Sequence, residues 1–338
     1  MDPSRSTRGR KAERPKDIPP PGWRDIAWRV WKRLGTDNIS LVAAGVAMYV
    51  MLSVFPGLAA LVFIYGLFAT PADVVHHMKD FSGVLPPGVW AIFNSQLQAL
   101  VHHNQSSLSV AAGAGVLVSL VSARSAMSSL MSATNIAYGE REKRGFFMQI
   151  LLSIVFTLAA IAAFLVLLAV GVALPVGLRV LGTSQWTQDL IAALRLLLLW
   201  ILALLGLAVV YRYAPSRERA QWRWLTWGSV IAATLWIAAT AAFAFYVRTF
   251  GSYGKTYGAL GSVIVLLMWF YIASFIVVVG AEINAEMERQ TYKDTTVRGG
   301  APLGERGAYA ADTVGPSVGQ GNPIPQNPGS EQSHISNR

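Results

Sequence analysis

The sequence predicts an all-α, polytopic membrane protein with six transmembrane helices, N and C termini both cytoplasmic, and amphipathic interfacial helices beside them. Three observations carry that prediction. Of 338 residues, 53% are hydrophobic and only 14% charged, where a soluble domain carries roughly a quarter charged residues. Six separate stretches are apolar over the ~20 residues a helix needs to cross hydrocarbon. The basic residues collect in alternate connections between those stretches, as the positive-inside rule requires of a multi-pass chain.

The spans fall at about 40–68, 109–137, 147–173, 190–211, 225–247 and 259–281. Lysines and arginines crowd ahead of the first span, then recur as Arg141, Lys143 and Arg144 and as Arg212, Arg217, Arg219 and Arg223. The opposite side holds Lys79, Arg179, Arg248 and Lys255. This bias sets both termini on the cytoplasmic side. The first apolar stretch begins too deep in the chain, and runs too long, for the short apolar region of a cleaved signal. Cysteine is absent, which excludes disulfides, thiolate metal sites and a cysteine nucleophile.

Three segments organise the chain. Residues 1–21 form a basic, proline-rich arm expected to be disordered, and residues 294–338, rich in Gly, Pro, Asn, Gln and Ser, are expected to match it. The transmembrane domain occupies 22–293. It opens with an interfacial helix at 22–35, where Trp23, Ile26, Ala27, Val30, Trp31 and Leu34 fall at helical spacing and Arg24, Arg29, Lys32 and Arg33 lie mostly off that stripe. Tryptophans beside arginines suit the inner leaflet better than a nucleic-acid groove, so no nucleic acid is expected as a partner. The outer segment 69–108 holds two more amphipathic pieces, split by Pro86, Pro87 and Gly88. A lid, a re-entrant element and a surface helix pair all fit it.

The run FGSYGKTYGALG at 250–261 has the end of a phosphate-binding loop in Gly254, Lys255 and Thr256. Thr249 stands where that fingerprint needs glycine, and Thr256 stands where the dinucleotide pattern needs its first one. The run reads as a turn between the last two spans, with Tyr253 and Tyr257 at headgroup level and Arg248 and Lys255 able to meet a lipid phosphate. His76, His77, His102 and His103 lack metal-binding spacing, so no metal and no cofactor are expected. No nucleophile–base pair is evident, so no catalytic residue is assigned and an enzyme is not expected.

Ionisable residues within spans are costly and point to function. Arg124 lies near the middle of the second span among Ser119, Ser122, Ser125, Ser128, Ser129 and Ser132. Either it is satisfied by hydroxyls, Asn135 or backbone carbonyls in tight packing, or it meets an anionic substrate in a polar cavity. Glu282 and Glu286 share one helix face, with Asn284 to the side. They are candidates for ion or proton coupling, or else pair with Arg141, Lys143, Arg144 or Arg289.

Four stretches together resemble the YihY/BrkB family of bacterial inner-membrane proteins: DNISLVAAGVAMYVMLSVFPGLAALVFIYGLFA (37–69), SSLMSATNIAYGEREKRGF (128–146), YRYAPSRERAQWRWLTWGS (211–229) and FGSYGKTYGALGSVIVLLMWFYIASFIVVVGAEINAEMER (250–289). The resemblance covers roughly 23–290 and implies a six-helix inner-membrane fold without established catalytic residues. It also brings two labels, virulence factor and tRNA-processing ribonuclease, the second of which looks like a misassignment. Asp37, Asn38, Pro56, Asn135, Tyr138, Pro215, the turn from Gly251 to Tyr257, and Glu282, Asn284 and Glu286 match the family pattern. That pattern has a basic residue nearer position 128, where this chain has Ser128, with Arg124 one turn away on the same face.

The expected function is therefore a non-enzymatic transporter or lipid-handling protein for an anionic envelope substrate such as phospholipid. The expected partners are membrane lipids, including anionic phospholipid, with envelope proteins or self-association as further contacts. A scaffold without transport is the rival, and a ribonuclease is the least favoured reading.

Overall fold

A computed structural model describes residues 8–68, 105–168, 170, 185–250 and 259–319. Among them stand eight α-helices: α1 Pro20–Thr36, α2 Ile39–Phe68, α3 Gln105–Tyr138, α4 Phe146–Leu168, α5 Gln185–Tyr213, α6 Trp222–Phe250, α7 Ala259–Glu288 and the short α8 Tyr309–Asp312. The described residues hold no strand, only an isolated antiparallel bridge between Ala220 and Thr296. Helices follow from the composition: in hydrocarbon every backbone N–H and C=O must be paired within the segment.

Four helical stretches are long and apolar enough to cross a membrane, namely Phe146–Leu167, Asp189–Tyr213, Trp222–Val247 and Val263–Glu288. A fifth is added if Pro20–Thr36 and Ile39–Val54, bent by 64°, are one broken span. Helices α2 and α3 occupy the stretches expected for the first two spans. The segment expected to lie outside at 69–108 falls outside the described residues, except that its last four positions already belong to α3.

Helix α3 runs along α2, α7 packs against α2, α6 and α3, and α5 lies along α6, while α4 rests on α3 and barely meets α5. Ile39, Val46, Ala133, Ala137, Tyr211, Leu225, Ala232, Val278, Ala281 and Ala285 form the shared core. Leu151, Val155, Leu158 and Leu165 on α4, and Leu194 and Leu197 on α5, are exposed, as befits surfaces wetted by lipid chains.

Small residues set the α6–α7 distance. A Cβ on Gly228 would run into the Asn284 side chain and come within 2.5 Å of the Gly280 carbonyl oxygen. A Cβ on Gly280 would meet the Tyr211 hydroxyl and, at 2.6 Å, the Ala232 methyl. Close approach of backbones through small residues is how helices associate in lipid. Gly228→Val should therefore wedge the pair apart at a cost of about 1–3 kcal/mol or more. Thermal unfolding in detergent reads this as a lowered midpoint, whereas the exposed control Thr226→Val should leave it unchanged.

Both flanks are folded wherever they are described, which corrects the disorder expected for 1–21 and 294–338 over residues 8–21 and 294–319. The reason is that their arginines serve the backbone. Arg10 is buried and donates to the carbonyl oxygens of Gln290 and Gly315, at 3.4 and 2.7 Å, and to Ser317 Oγ. Arg306 donates to the carbonyls of Tyr292, Lys293, Ala301 and Ala311. Asp294 accepts from Thr296 N and Oγ1 and from Ala301 N. Partial burial works against the Asp294 charge, but these bonds outweigh it and hold its pKa below the ordinary carboxylate value. Residues 1–7 and 320–338 lie outside the described residues.

Helix α1 covers the stretch expected for the interfacial helix, but its faces are differently used. Ile26 and Val30 are buried as the stripe requires, yet Trp31 is 78% exposed, and Arg29 and Arg33 point inward. The arginines are drawn in by acids on α7.

Candidate functional site

The last turns of α7 put Glu282 and Glu286 one turn apart, both fully buried, against α1. On α1, Arg29 and Arg33 have the same spacing, so the two helices present matching rows in opposite directions. Arg29 Nε donates to Glu286 Oε2, and its Nη2 reaches the Glu286 carbonyl at 2.9 Å and Gln290 Oε1 at 2.8 Å. Arg289 Nη1 donates to Glu286 Oε1 at 2.5 Å and Arg33 Nη1 to the same oxygen at 3.3 Å. One carboxylate thus holds three guanidinium groups and ties α1 to α7.

Glu282 is treated differently. Arg33 Nε lies 3.5 Å from its Oε2, too long for a hydrogen bond, because that N–H is given to Asp37 Oδ2 at 2.9 Å. Neither oxygen of Glu282 has a hydrogen-bond partner.

Of the cations expected opposite these acids, Arg289 is present. The others are not brought there: Lys143 Nζ pairs with Glu140 at 2.8 Å, and Arg144 Nη2 donates to the Ala214 carbonyl at 2.7 Å. Sequence reasoning missed Arg29 and Arg33. The available signal was that both the arginine pair and the glutamate pair are spaced i, i+4.

A second buried pair stands beside the first. Arg217 grips Glu288 with both nitrogens, at 3.1 and 2.6 Å, Thr295 Oγ1 adds a bond at 2.7 Å, and the Arg217 guanidinium covers the Tyr138 ring at 4.8 Å. Burial opposes the Arg217 charge, but the Glu288 carboxylate more than offsets it, so the Arg217 pKa is raised above its ordinary value.

Two further residues match the family pattern and make joints. Asn135 Oδ1 accepts from Ser216 N at 2.7 Å, and its Nδ2 donates to Glu142 at 3.1 Å, fixing the end of α3 to the loop before α6. Asn284 Oδ1 accepts from Gly228 N at 3.0 Å, bracing the close α6–α7 approach.

Arg124 lies apart from these clusters. It is part-buried between α3 and α4, and its Nε donates to Ser153 Oγ at 3.1 Å. Ser153 is itself buried and donates onward to the Ile150 carbonyl. Among the described residues, neither Arg124 Nη group has a hydrogen-bond partner. Ser153 stands about two turns into α4, ~10 Å at 1.5 Å per residue, whereas half the hydrocarbon is ~15 Å. That position lies inside the apolar stretch that α4 forms.

The Ser128 carbonyl accepts from Ser132 Oγ at 3.0 Å. Arg248 sits near the end of α6, while Tyr253, Lys255 and Tyr257 lie outside the described residues. A surface cavity of about 430 Å³ is lined by Glu140, Arg141, Lys143 and Tyr309, and by neither Arg124 nor Glu282 nor Glu286. Among the described residues no three His, Asp or Glu side chains come together as a metal site would need.

A family model described as Virulence factor BrkB matches residues 30–302. The chain is 30% identical over 263 residues to the ribonuclease-like protein YfkH of Bacillus subtilis, covering 73% of this chain and 90% of that protein. It is 25% identical over 280 residues to a UPF0761 membrane protein of Tolumonas auensis, covering 80% and 88% of the two chains. A UPF0761 membrane protein of Psychromonas ingrahamii is 26% identical over 263 residues, 77% of this chain and 86% of the other. No solved structure matches.

Proposed function

We infer function from one premise: the chain belongs to the virulence factor BrkB family and is a membrane protein. On that premise it crosses the bacterial inner membrane six times with both termini cytoplasmic, and α1 lies along the inner leaflet. The gathering of Arg10, Arg29, Arg33, Arg217 and Arg289 at the same end of the bundle supports that orientation. Its work is to bind and move an anionic envelope amphiphile, of which phospholipid is the type, without catalysing a reaction.

The observation that carries this reading is Arg124. A guanidinium within the apolar belt is expensive unless paired, and this one has a single hydroxyl for company, with its two Nη groups turned to no described acceptor. Those groups form the planar fork that suits a phosphate in two parallel bonds. Helix α4, which rests on α3 and barely meets α5, leaves lipid room to approach along the membrane plane. YfkH is described as ribonuclease-like. The described residues of this chain assemble no metal-binding trio, and the lipid reading accounts for Arg124 where a nuclease reading does not.

Native mass spectrometry of the purified protein checks the binding half of the proposal. The wild type should keep phosphatidylglycerol in preference to phosphatidylcholine through delipidation. Arg124→Ala should lose that preference by tenfold or so, the loss of ~1.4 kcal/mol from a charge-assisted contact. Equal retention of both lipids by wild type and variant would count against it.

A further inference from the structure

We propose that Glu282 and Asp37 form a buried acid pair that binds one exchangeable proton, and that releasing this proton loosens the hinge between α1 and α2 from α7. The inference does not depend on which substrate the protein handles.

Glu282 is fully buried and neither of its carboxyl oxygens has a hydrogen-bond partner, although its neighbour Glu286 has three arginines. The Asp37 and Glu282 carboxyl groups converge on one nitrogen, Arg33 Nε, which lies 2.9 Å from Asp37 Oδ2 and 3.5 Å from Glu282 Oε2. Two carboxylates crowded onto one guanidinium nitrogen cannot donate to each other, so as anions they repel and leave the Glu282 oxygens unpaired. One proton converts the contact into an O–H···O bond and removes one charge, as in other acid pairs that share a site.

The surrounding charges favour that arrangement. On α1, Arg33 faces both acids, but its Nε–H goes to Asp37 and its Nη1 to Glu286. Arg29 commits its nitrogens to Glu286, Gln290 and Pro316. Just past the end of α7, Arg289 bonds Glu286 and Thr313. From α3, Tyr138 is buried at the same end of the bundle, with its ring under the Arg217 guanidinium. A single guanidinium at 3.5 Å is therefore the nearest cation to Glu282, and it is shared three ways.

The site also has a path for exchange and a part that can move. The Asp37 side chain is 21% exposed, so the proton can reach water through it. Asp37 closes α1, and Asn38 takes a left-handed backbone, φ 50°, before α2 starts at a 64° bend. Asparagine adopts that region more readily than most residues, and the short joint it makes lets the chain turn between the two helices. Holding Asp37 to Glu282 pins that hinge to α7, and repulsion between two anions releases it.

The test combines infrared spectroscopy and hydrogen exchange on the full-length protein in lipid nanodiscs. At neutral pH the wild type should show the C=O stretch of a protonated carboxylic acid that Glu282→Gln lacks. As pH rises through the loss of that band, amides of residues 36–40 should exchange several-fold faster, after correction for intrinsic rates. Glu282→Gln, whose amide donates to Asp37 at any pH, should keep that segment protected throughout, and Asp37→Asn should do the same. A wild type without the acid band at neutral pH would overturn the proposal, and this result needs no variant to fold. So would hinge exchange that stays flat while the band titrates, or a band that survives in Glu282→Gln. A band restored only by removing sodium would assign the site to a metal cation and overturn it as well.

Discussion

Glu286→Ala should lower stability by about 3–5 kcal/mol, the usual cost of removing one member of a buried ion pair. Three guanidinium groups lean on this carboxylate: Arg29 and Arg289, each 2–3% exposed at the side chain, and Arg33 at 9%. Without it Arg29 and Arg289 are buried cations with no counter-charge, while Arg33 keeps Asp37. Residues 289–319 and α1 both hang on this hub, so the loss should spread to the whole terminal lobe. Thermal unfolding in detergent should show a midpoint well below wild type, with Glu286→Gln intermediate because its amide oxygen still accepts. An Ala variant as stable as wild type would show that the lobe is held by its backbone bonds instead.

Arg217→Ala should cost a comparable amount, about 3–5 kcal/mol, but its effect should be local. It strands Glu288 with one hydroxyl donor, Thr295 Oγ1, and uncovers the Tyr138 ring. The segment that loses its anchor begins at Thr291 and Tyr292 and runs through the bridge from Ala220 to Thr296. Trypsin should cut at Lys293 and Arg298 many times faster than in wild type, while the spans stay resistant. Replacing both members, Arg217→Met with Glu288→Leu, should restore most of the protection, since a volume-matched apolar pair avoids the stranded charge. If the double replacement is no better than Arg217→Ala, the pair contributes through geometry that methionine and leucine cannot copy.

The long helices were legible because continuous apolar runs such as FFMQILLSIVFTLAAIAAFLVLL in α4 have one stable form in hydrocarbon. Arg29 and Arg33 were not, since a helical wheel assigns basic residues to the wet face unless acids on a distant helix are known to face them. Here the acids are more than two hundred residues away in sequence, and only the matching i, i+4 rows linked them. The flanks were misread for a related reason. Low apolar content predicts disorder when burial must come from hydrophobic surface, but Arg10 and Arg306 order their segments by capping backbone carbonyls. Asn135 and Asn284 were expected to reach for substrate or ion, and a joint between elements was not foreseen for either. Each gives its Oδ1 to a backbone N–H, of Ser216 and of Gly228.

The central claim is that Arg124 meets the headgroup of an anionic lipid that the protein moves between leaflets. The most direct measurement follows a headgroup-labelled phosphatidylglycerol across reconstituted vesicles. The account predicts that wild type moves the label faster than protein-free vesicles, that Arg124→Ala falls to the protein-free rate while inserting normally, and that Arg124→Lys, which keeps the charge without the planar fork, lies between. Equal rates for wild type and Arg124→Ala, or a wild type no faster than bare vesicles, would contradict the account and favour a scaffold held in the membrane without transport.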